Sequence, residues 1–279
     1  MKHFLIYTNQ HKDPKKETTN RIKSYLESKG QKCTVIDNSD NAFPEENIPK
    51  DAFCMIVLGG DGTMLRAAWD TKKEDIPLIG VNLGTLGYMT EIEPENIEAA
   101  MDKLIDEDYE IENRMMLHGA VEKTNGESYE DWALNDVAIS RSGSIKLIKM
   151  DIYVNGKLLN AYNADGIIVT TPTGSTGYSL SAGGPIVNPI AKLIMITPIC
   201  PHTLNSRSII LSPEDVIEIM VPKGREGEVQ TLEVNFDGAH VVTVQTGDRI
   251  RIHTSDKITK IMKINKVSFL DVLHKKMSE

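Results

Sequence analysis

Cysteine is scarce in this chain, with three in 279 residues. Cys33, Cys54 and Cys200 stand far apart and two of them lie in apolar runs, which argues against a disulfide framework or a zinc cluster and makes them core thiols of a reducing compartment. Surplus positive charge is missing too. Lys and Arg number 31 against 40 Asp and Glu, a net −9, whereas a broad nucleic-acid or acidic-membrane surface needs clustered cations. A polyanionic small ligand stays open, because backbone N–H groups, a few placed cations or a metal ion hold phosphates without making a chain basic. No apolar run approaches membrane-spanning length, and the stretch Phe4 to Tyr7 is too short for the core of a signal peptide, so the expected location is the cytoplasm. Internal repeats and low-complexity tracts are lacking as well. What remains, 40% apolar and 25% charged, is the composition of a soluble globular protein long enough for one large domain or two ordinary ones.

The first part of the chain alternates strand and helix patterns. A strand at Phe4 to Tyr7, a polar helix from about Lys15 to Lys29 closed by Gly30, and a strand at Cys33 to Ile36 make one β-α-β unit. A strand at Phe53 to Leu58 runs into Gly59-Gly60-Asp61-Gly62-Thr63 and a helix from Thr63 to Trp69, and another strand follows at Leu78 to Val81. Such alternation predicts a parallel, layered, Rossmann-like α/β sheet. Pro94-Glu95-Asn96 opens an amphipathic helix carrying Ile97, Met101, Leu104 and Ile105. Beyond about Asp108, period-two stretches and turns take over, so the expected division is an α/β domain over 1–108 and a β-rich, sandwich-like domain over 109–264. Its strands are read at Val137 to Ile139, Leu147 to Val154, Lys157 to Leu159, Ile167 to Thr170, Leu193 to Ile199, Val216 to Val221, Gln230 to Phe236, Val241 to Gln245, Arg249 to His253 and Ile258 to Ile264. Asn155-Gly156 is a two-residue hairpin turn.

The glycine loop carries the chemistry. Its glycines let backbone approach phosphate oxygens, and the helix that follows offers its positive end to an anion. A carboxylate among them repels phosphate unless it serves the reaction, as a general base for an attacking hydroxyl or as a ligand to the nucleotide's Mg2+. The loop is neither a Walker A loop nor a Gly-x-Gly-x-x-Gly fingerprint. It resembles the Gly-Gly-Asp-Gly-Thr signature of NAD kinases, diacylglycerol and sphingosine kinases and, more loosely, phosphofructokinases. Four further stretches resemble the NAD kinase family in particular: Asn82 to Tyr88, Leu134-Asn135-Asp136-Val137, the long run Asp165 to Pro185, and Pro201 to Ser208. Departures are Tyr88 for Phe, Asp136 for Glu, Gly177 for Ala and, after Asp237-Gly238, Ala239 for Gln.

The resemblance implies transfer of the γ-phosphoryl group of ATP, or of polyphosphate, to the adenosine-ribose 2′-hydroxyl of NAD, with Mg2+ arriving on the nucleotide and no dedicated metal cage. Asp61 becomes the catalytic residue, and Gly59, Gly60, Gly62, Thr63 and Arg66 the contacts to the phosphate donor. NAD falls to Asp61, Gly62, Tyr88, Asn135, Asp136, Lys146, Asp165, Thr173, Thr176, Gly177, Tyr178 and Ser181. His202 reads as a structural histidine bonding backbone rather than a base. The family also implies a homodimer or homotetramer and a C-terminal segment, about 265–279, packed back on the first domain. Two rivals share parts of this pattern. A lipid kinase shares the loop alone and needs an apolar acyl surface, whereas residues 165 to 185 are dense in hydroxyls and glycine. A non-catalytic dinucleotide sensor gains nothing from a carboxylate beside phosphates.

Overall fold

The computed structural model describes residues 1–37, 48–85, 87–143, 147–203, 206–265 and 267–278, with the side chain of Arg225 excepted. The chain divides into two compact units, Met1–Asn113 with Thr259–Glu279, and Arg114–Ile258. The first unit opens with β1 (His3–Thr8), α1 (Glu17–Ser28), β2 (Lys32–Asp37), β3 (Ala52–Gly59), α2 (Asp61–Asp70), β4 (Leu78–Asn82), β5 (Thr90–Ile92) and α3 (Ile97–Ile105), the last preceded by a 3-10 turn at Pro94–Asn96. Its strands are parallel, in the order β2-β1-β3-β4-β5. Residues Cys54 to Gly59 of β3 are all buried, as befits a central parallel strand covered on both faces. α1 buries Thr19, Ile22 and Leu26 on one stripe. It begins at Glu17 rather than Lys15, because Lys16 is left-handed (φ 54°) and the Asp13 carboxylate takes the N–H groups of Thr18 and Thr19. It ends where Gly30, at φ 74°, lets Gln31 N–H donate back to Leu26.

β6 (Glu110–Glu122) carries the chain across the division. The second unit continues with β7 (Ser128–Ala133), β8 (Asp136–Arg141), β9 (Ile148–Val154), β10 (Lys157–Ala164), β11 (Gly166–Thr170), the short α4 (Tyr178–Ser181), β12 (Ile194–Ile199), β13 (Ile209–Leu211), β14 (Ile217–Met220), β15 (Thr231–Phe236), β16 (His240–Gln245) and β17 (Arg249–Lys263). One antiparallel sheet runs β13-β12-β11-β8-β15-β16; the other strand set is β10-β9-β14-β17, with β6 beside β17 and β7 beside β6. Leu117, Ile139, Ile152, Ile167, Ile196, Ile219, Val234 and Ile252 belong to one buried cluster drawn from both sets, so this unit is a β-sandwich. Asn155 and Gly156 both have positive φ, 50° and 74°, as a two-residue turn of the expected kind requires.

Four differences from the sequence reading have physical causes. β6 and β7 are strands where none is expected; the run Arg114 to Leu117 is buried without alternation, and Gly119 lies so close under Phe236 that a Cβ would come within 2.6 Å of its ring. The two strands read at Arg249 and Ile258 are one, since the polar stretch Thr254 to Lys257 continues the strand rather than turning. The division falls at Asn113 instead of near Asp108, and the return at Thr259, because β6 and β17 each run through it. α2 starts at Asp61, two residues early.

After β17 the chain ends in α5 (Phe269–Met277), whose first turn is closed by a reciprocal Ser268–Asp271 capping box. Met262 and Ile264 join the core of the first unit with Phe4, Ile56, Ile79 and Met101. Among the described residues no helix is long and apolar enough to cross a membrane.

Candidate active site

Asp61 is the first residue of α2, directly after the extended Gly60 that caps it. An acid there meets the positive end of the helix. Its carboxylate turns to the segment after β4, where Tyr88 N–H donates to Oδ2 at 2.9 Å and Met89 N–H to Oδ1 at 3.0 Å. Gly87 allows the approach, since a Cβ at that position would stand 2.2 Å from Asp61 Oδ1. Leu83 N–H donates to Gly59 at 3.1 Å. The two glycine segments of the sequence are thus one construction around Asp61. Gly59 is required by the fold, because its Cβ would collide with the buried Thr63 side chain at 2.2 Å; a Cβ at Gly60 or Gly62 would meet no atom within 4 Å.

Two neighbours of the loop have partners within the unit. Arg66 stands by the Tyr7 hydroxyl, which donates to Asp70 at 2.5 Å; burial first, then Asp70, raises the Tyr7 pKa, and Arg66 opposes them. The Tyr88 ring packs 5.9 Å from that of Phe269, with Lys276 Nζ 4.9 Å from its centroid. Burial and then the charge of Asp61 raise the Tyr88 phenol.

In the second unit the chemistry gathers at the start of β8. The Asp237 carboxylate accepts three backbone N–H groups, from Leu134 at 2.7 Å, Asn135 at 2.8 Å and Asp136 at 3.0 Å. Thr170 and Thr171 at the end of β11 donate their hydroxyls to the carbonyls of Asn135 and Leu134, at 2.8 and 2.6 Å. Gly174 fits below this turn, where a Cβ would lie 2.4 Å from the Asn135 carbonyl. Asn135 Oδ1 and Thr173 Oγ1 are buried with no hydrogen-bond partner among the described residues. Buried polar atoms are nearly always paired, so these two orphans, one just before β8 and one in the turn after β11, call for an explanation. Asp136 is buried, and burial followed by the charge of Asp237 pushes its carboxyl up to about 7; burial likewise lifts Asp237 to about 6 against the pull of its three N–H donors.

The hydroxyl-rich run divides into structural and outward groups. Ser175 bonds Val187, and Ser179 bonds Thr197, which in turn bonds Ser208. Thr176 and Gly177 are half-buried, Tyr178 and Ser181 exposed. Tyr178 is raised by burial and then by the charges of Asp136, Cys200 and Asp165, so these groups share one electrostatic neighbourhood. Asp165 pairs with Arg141 at 3.4 Å. The His202 side chain is exposed, and among the described residues only its backbone N–H is engaged, donating to Asn163; this corrects its reading as a histidine whose ring bonds backbone. Lys146 lies outside the described residues.

Residues 4–109 match the family model described as the ATP-NAD kinase N-terminal domain, and residues 134–264 the one described as the ATP-NAD kinase C-terminal domain. The chain belongs to the NAD kinase family. The NAD kinase of Lachnospira eligens is 45% identical over 293 residues, covering 99% of this chain and 100% of the relative. Yeast NADH kinase, solved with NADH, aligns with a TM-score of 0.85 at 25% identity over 99% of this chain and 88% of that one. An NAD kinase from Archaeoglobus fulgidus, solved in complex with ATP, gives 0.80 at 27% identity over the whole of both. Phosphorylation of NAD to NADP is the NAD kinase reaction, so this chain is a phosphotransferase. Within the NAD kinase pattern, the residue that sequence reading undervalues is Asp237. Its signal is the Asp-Gly pair, legible as a hairpin turn, whereas its three partners are backbone groups about a hundred positions away and leave no side-chain trace.

Proposed function

We propose that the chain transfers the γ-phosphoryl group of ATP to the adenosine-ribose 2′-hydroxyl of NAD, with Asp61 accepting the hydroxyl proton. The observation that carries this is the fixing of Asp61 by two backbone N–H groups at the head of a helix, next to Gly60 and Gly62, whose lack of a side chain the chain's own packing does not require. Each Asp61 oxygen keeps a second lone pair for the substrate proton. Gly60 and Gly62 present their backbone to the donor phosphates, with Gly59 and Thr63 shaping the loop. A divalent cation such as Mg2+, arriving with ATP, would supply charge neutralisation, and the Asp61 carboxylate, at the loop, is the oxygen donor that would reach it. On the other half of the reaction, Asn135 and Thr173 offer their orphan oxygens to the dinucleotide, and Asp136 a ribose contact. Asp165, Thr176, Gly177, Tyr178 and Ser181 line it, Tyr178 with an exposed ring suited to stacking. Tyr88 serves the adenine side. Arg66 and Lys146 are the cations assigned to phosphate and NAD. The same reading carries a cytoplasmic homodimer or homotetramer.

The test is Asp61→Asn. A general base is worth roughly 100-fold to 10,000-fold, so NADP formation falls by at least about two orders of magnitude while NAD affinity stays within a few-fold. Turnover near that of the wild type would remove Asp61 from the chemistry. Labelled ATP offered with NAD and diacylglycerol together identifies the acceptor: label in NADP supports the reading, and label in lipid overturns it.

A further inference from the structure

Asp237 and Gly238, both at positive φ (50° and 70°), open the three-residue turn that joins β15 to β16 and is closed by Ala239 N–H on the Phe236 carbonyl. A turn needs no carboxylate, yet this one reaches across to β8 and takes all three consecutive N–H groups of Leu134, Asn135 and Asp136, while Asp237 N–H donates back to the Asp136 carbonyl at 3.0 Å. The three N–H groups of the backbone that aims the Asn135 amide and the Asp136 carboxyl are therefore held from a single side chain, while Thr170 and Thr171 take its carbonyls. Its negative charge also stands beside Asp136. No cation among the described residues is paired with Asp136; the groups facing it are Asp237 and the Tyr178 hydroxyl, and beyond Asp237 lies Asp131, bonded to His240 at 2.8 Å.

We propose that Asp237 is a positioning residue for the dinucleotide, fixing Asn135 and Asp136 through the backbone that carries them and presenting Asp136 as a hydrogen-bond donor rather than an acceptor. This rests on the reading that the pair meets NAD. Two buried carboxyls that repel one another do not both ionise easily, and the one with three N–H donors is the one to carry the charge. Below about pH 7 Asp136 then keeps its proton and donates a hydrogen bond through it to a ribose oxygen. Loss of that proton replaces a donor by an anion facing another anion, so affinity for NAD falls as pH rises past about 7.

Titration calorimetry of NAD on the full chain at about pH 6 and about pH 8.5, with turnover measured in parallel, decides the matter. For the wild type, Kd rises at least about fivefold between the two pH values, because a group titrating near neutrality is mostly ionised at the higher one. Asp136→Asn, whose amide donates without titrating, holds the Kd of the wild type at the lower pH and shows no rise in Kd at the higher one. Asp237→Asn turns an NH2 against the backbone donors and weakens NAD about tenfold or more at both pH values with turnover at saturation within about twofold. Asp237→Glu keeps the charge and both oxygens and recovers part of that loss. A flat wild-type Kd, a many-fold loss in Asp136→Asn at the lower pH, or Asn and Glu variants equally impaired would each overturn the proposal. Should Asp237→Asn fail to fold, the wild type and Asp136→Asn still decide the donor role. Absence of NADP formation with normal NAD binding would sink the proposed reaction and leave this inference to the calorimetry.

Discussion

Asp136 is held in a folded environment that its ionised form dislikes. Its carboxyl is pushed up to about 7 by burial and then by the charge of Asp237, against a usual value of 3.8. A raised folded value means that the folded chain binds this proton more tightly than the unfolded one. Its contribution to stability is therefore full below about pH 4, is lost as pH rises towards 7, and stays lost above. Every tenfold difference in proton affinity between the folded and unfolded chain is about 1.4 kcal/mol, so Asp136→Asn is expected to stabilise the second unit by on the order of 2 to 4 kcal/mol at pH 8 and by little at pH 4. Thermal melts at the two pH values check this, and equal stabilisation at both would refute it. Two glycines separate packing from motif in the same way. Gly87→Ala drives a Cβ onto the Asp61 carboxylate and is expected to abolish turnover and cost about 2 kcal/mol or more. Gly177→Ala meets its nearest atoms at 3.3 and 3.5 Å, with φ at −98°, and is expected to leave activity within about twofold. Steady-state assays of the pair carry the comparison. Asp61 is legible in sequence because a carboxylate among glycines contradicts phosphate binding unless it reacts. Gly87 is not legible as its partner, because the contact depends on a missing atom.

At the scale of elements, strong local signals decide existence and weak ones decide ends. β3, β4 and α3 are readable from apolar runs and helical spacing, whereas the pattern places the start of α2 two residues late, because Asp61-Gly62 reads as loop until the extended Gly60 is seen to cap it. β6 escapes a sequence reading because a strand with a run buried without alternation, and carrying Gly119 under an aromatic ring, lacks the period-two mark; β7 escapes because its first three residues are exposed. α5 is different again. Its capping box makes it a locally closed helix, but none of its residues is buried, and it is held through Phe269 and Lys276 on the Tyr88 ring. Phe269→Ala is expected to weaken docking by about 1 kcal/mol, since such a ring pair contributes roughly 0.5 to 1.5 kcal/mol beyond burial. Amide exchange should then quicken across Phe269–Met277 and stay unchanged in β1 and β3. Uniform exchange changes through the first unit would show instead that α5 belongs to the core.

For the whole molecule, the telling feature is that the first unit is built from both ends of the chain. Glu91, whose side chain is almost fully buried, accepts from Lys263 Nζ, from Ile264 N–H at 3.2 Å and from Asn265 N–H at 2.7 Å, and its carbonyl takes the Asn265 amide at 3.0 Å. Met262 and Ile264 fill the core beneath, Ile261 pairs with Leu78, and Lys103 donates to the Ile264 carbonyl. Nothing in the sequence around Glu91 announces a partner more than 170 positions away; only the family resemblance points to a return of the chain. Two truncations separate the roles of these last residues. A chain ending at Asn265 keeps Glu91, Met262 and Ile264 satisfied and loses only α5, so it should fold and melt within a few degrees of the full chain. A chain ending at Ile258 exposes a cavity where three large apolar side chains stood, Ile261, Met262 and Ile264, each worth about 1.5 to 3 kcal/mol, and leaves the buried Glu91 carboxylate without its donors. That total rivals the roughly 5 to 15 kcal/mol by which a domain is stable. The shorter chain should therefore lose the first unit and with it all NADP formation, while the exchange protection of β8, β11 and β15 in the second unit survives. Retained protection in β1 and β3 after the cut at Ile258 would mean that the returning strand is dispensable.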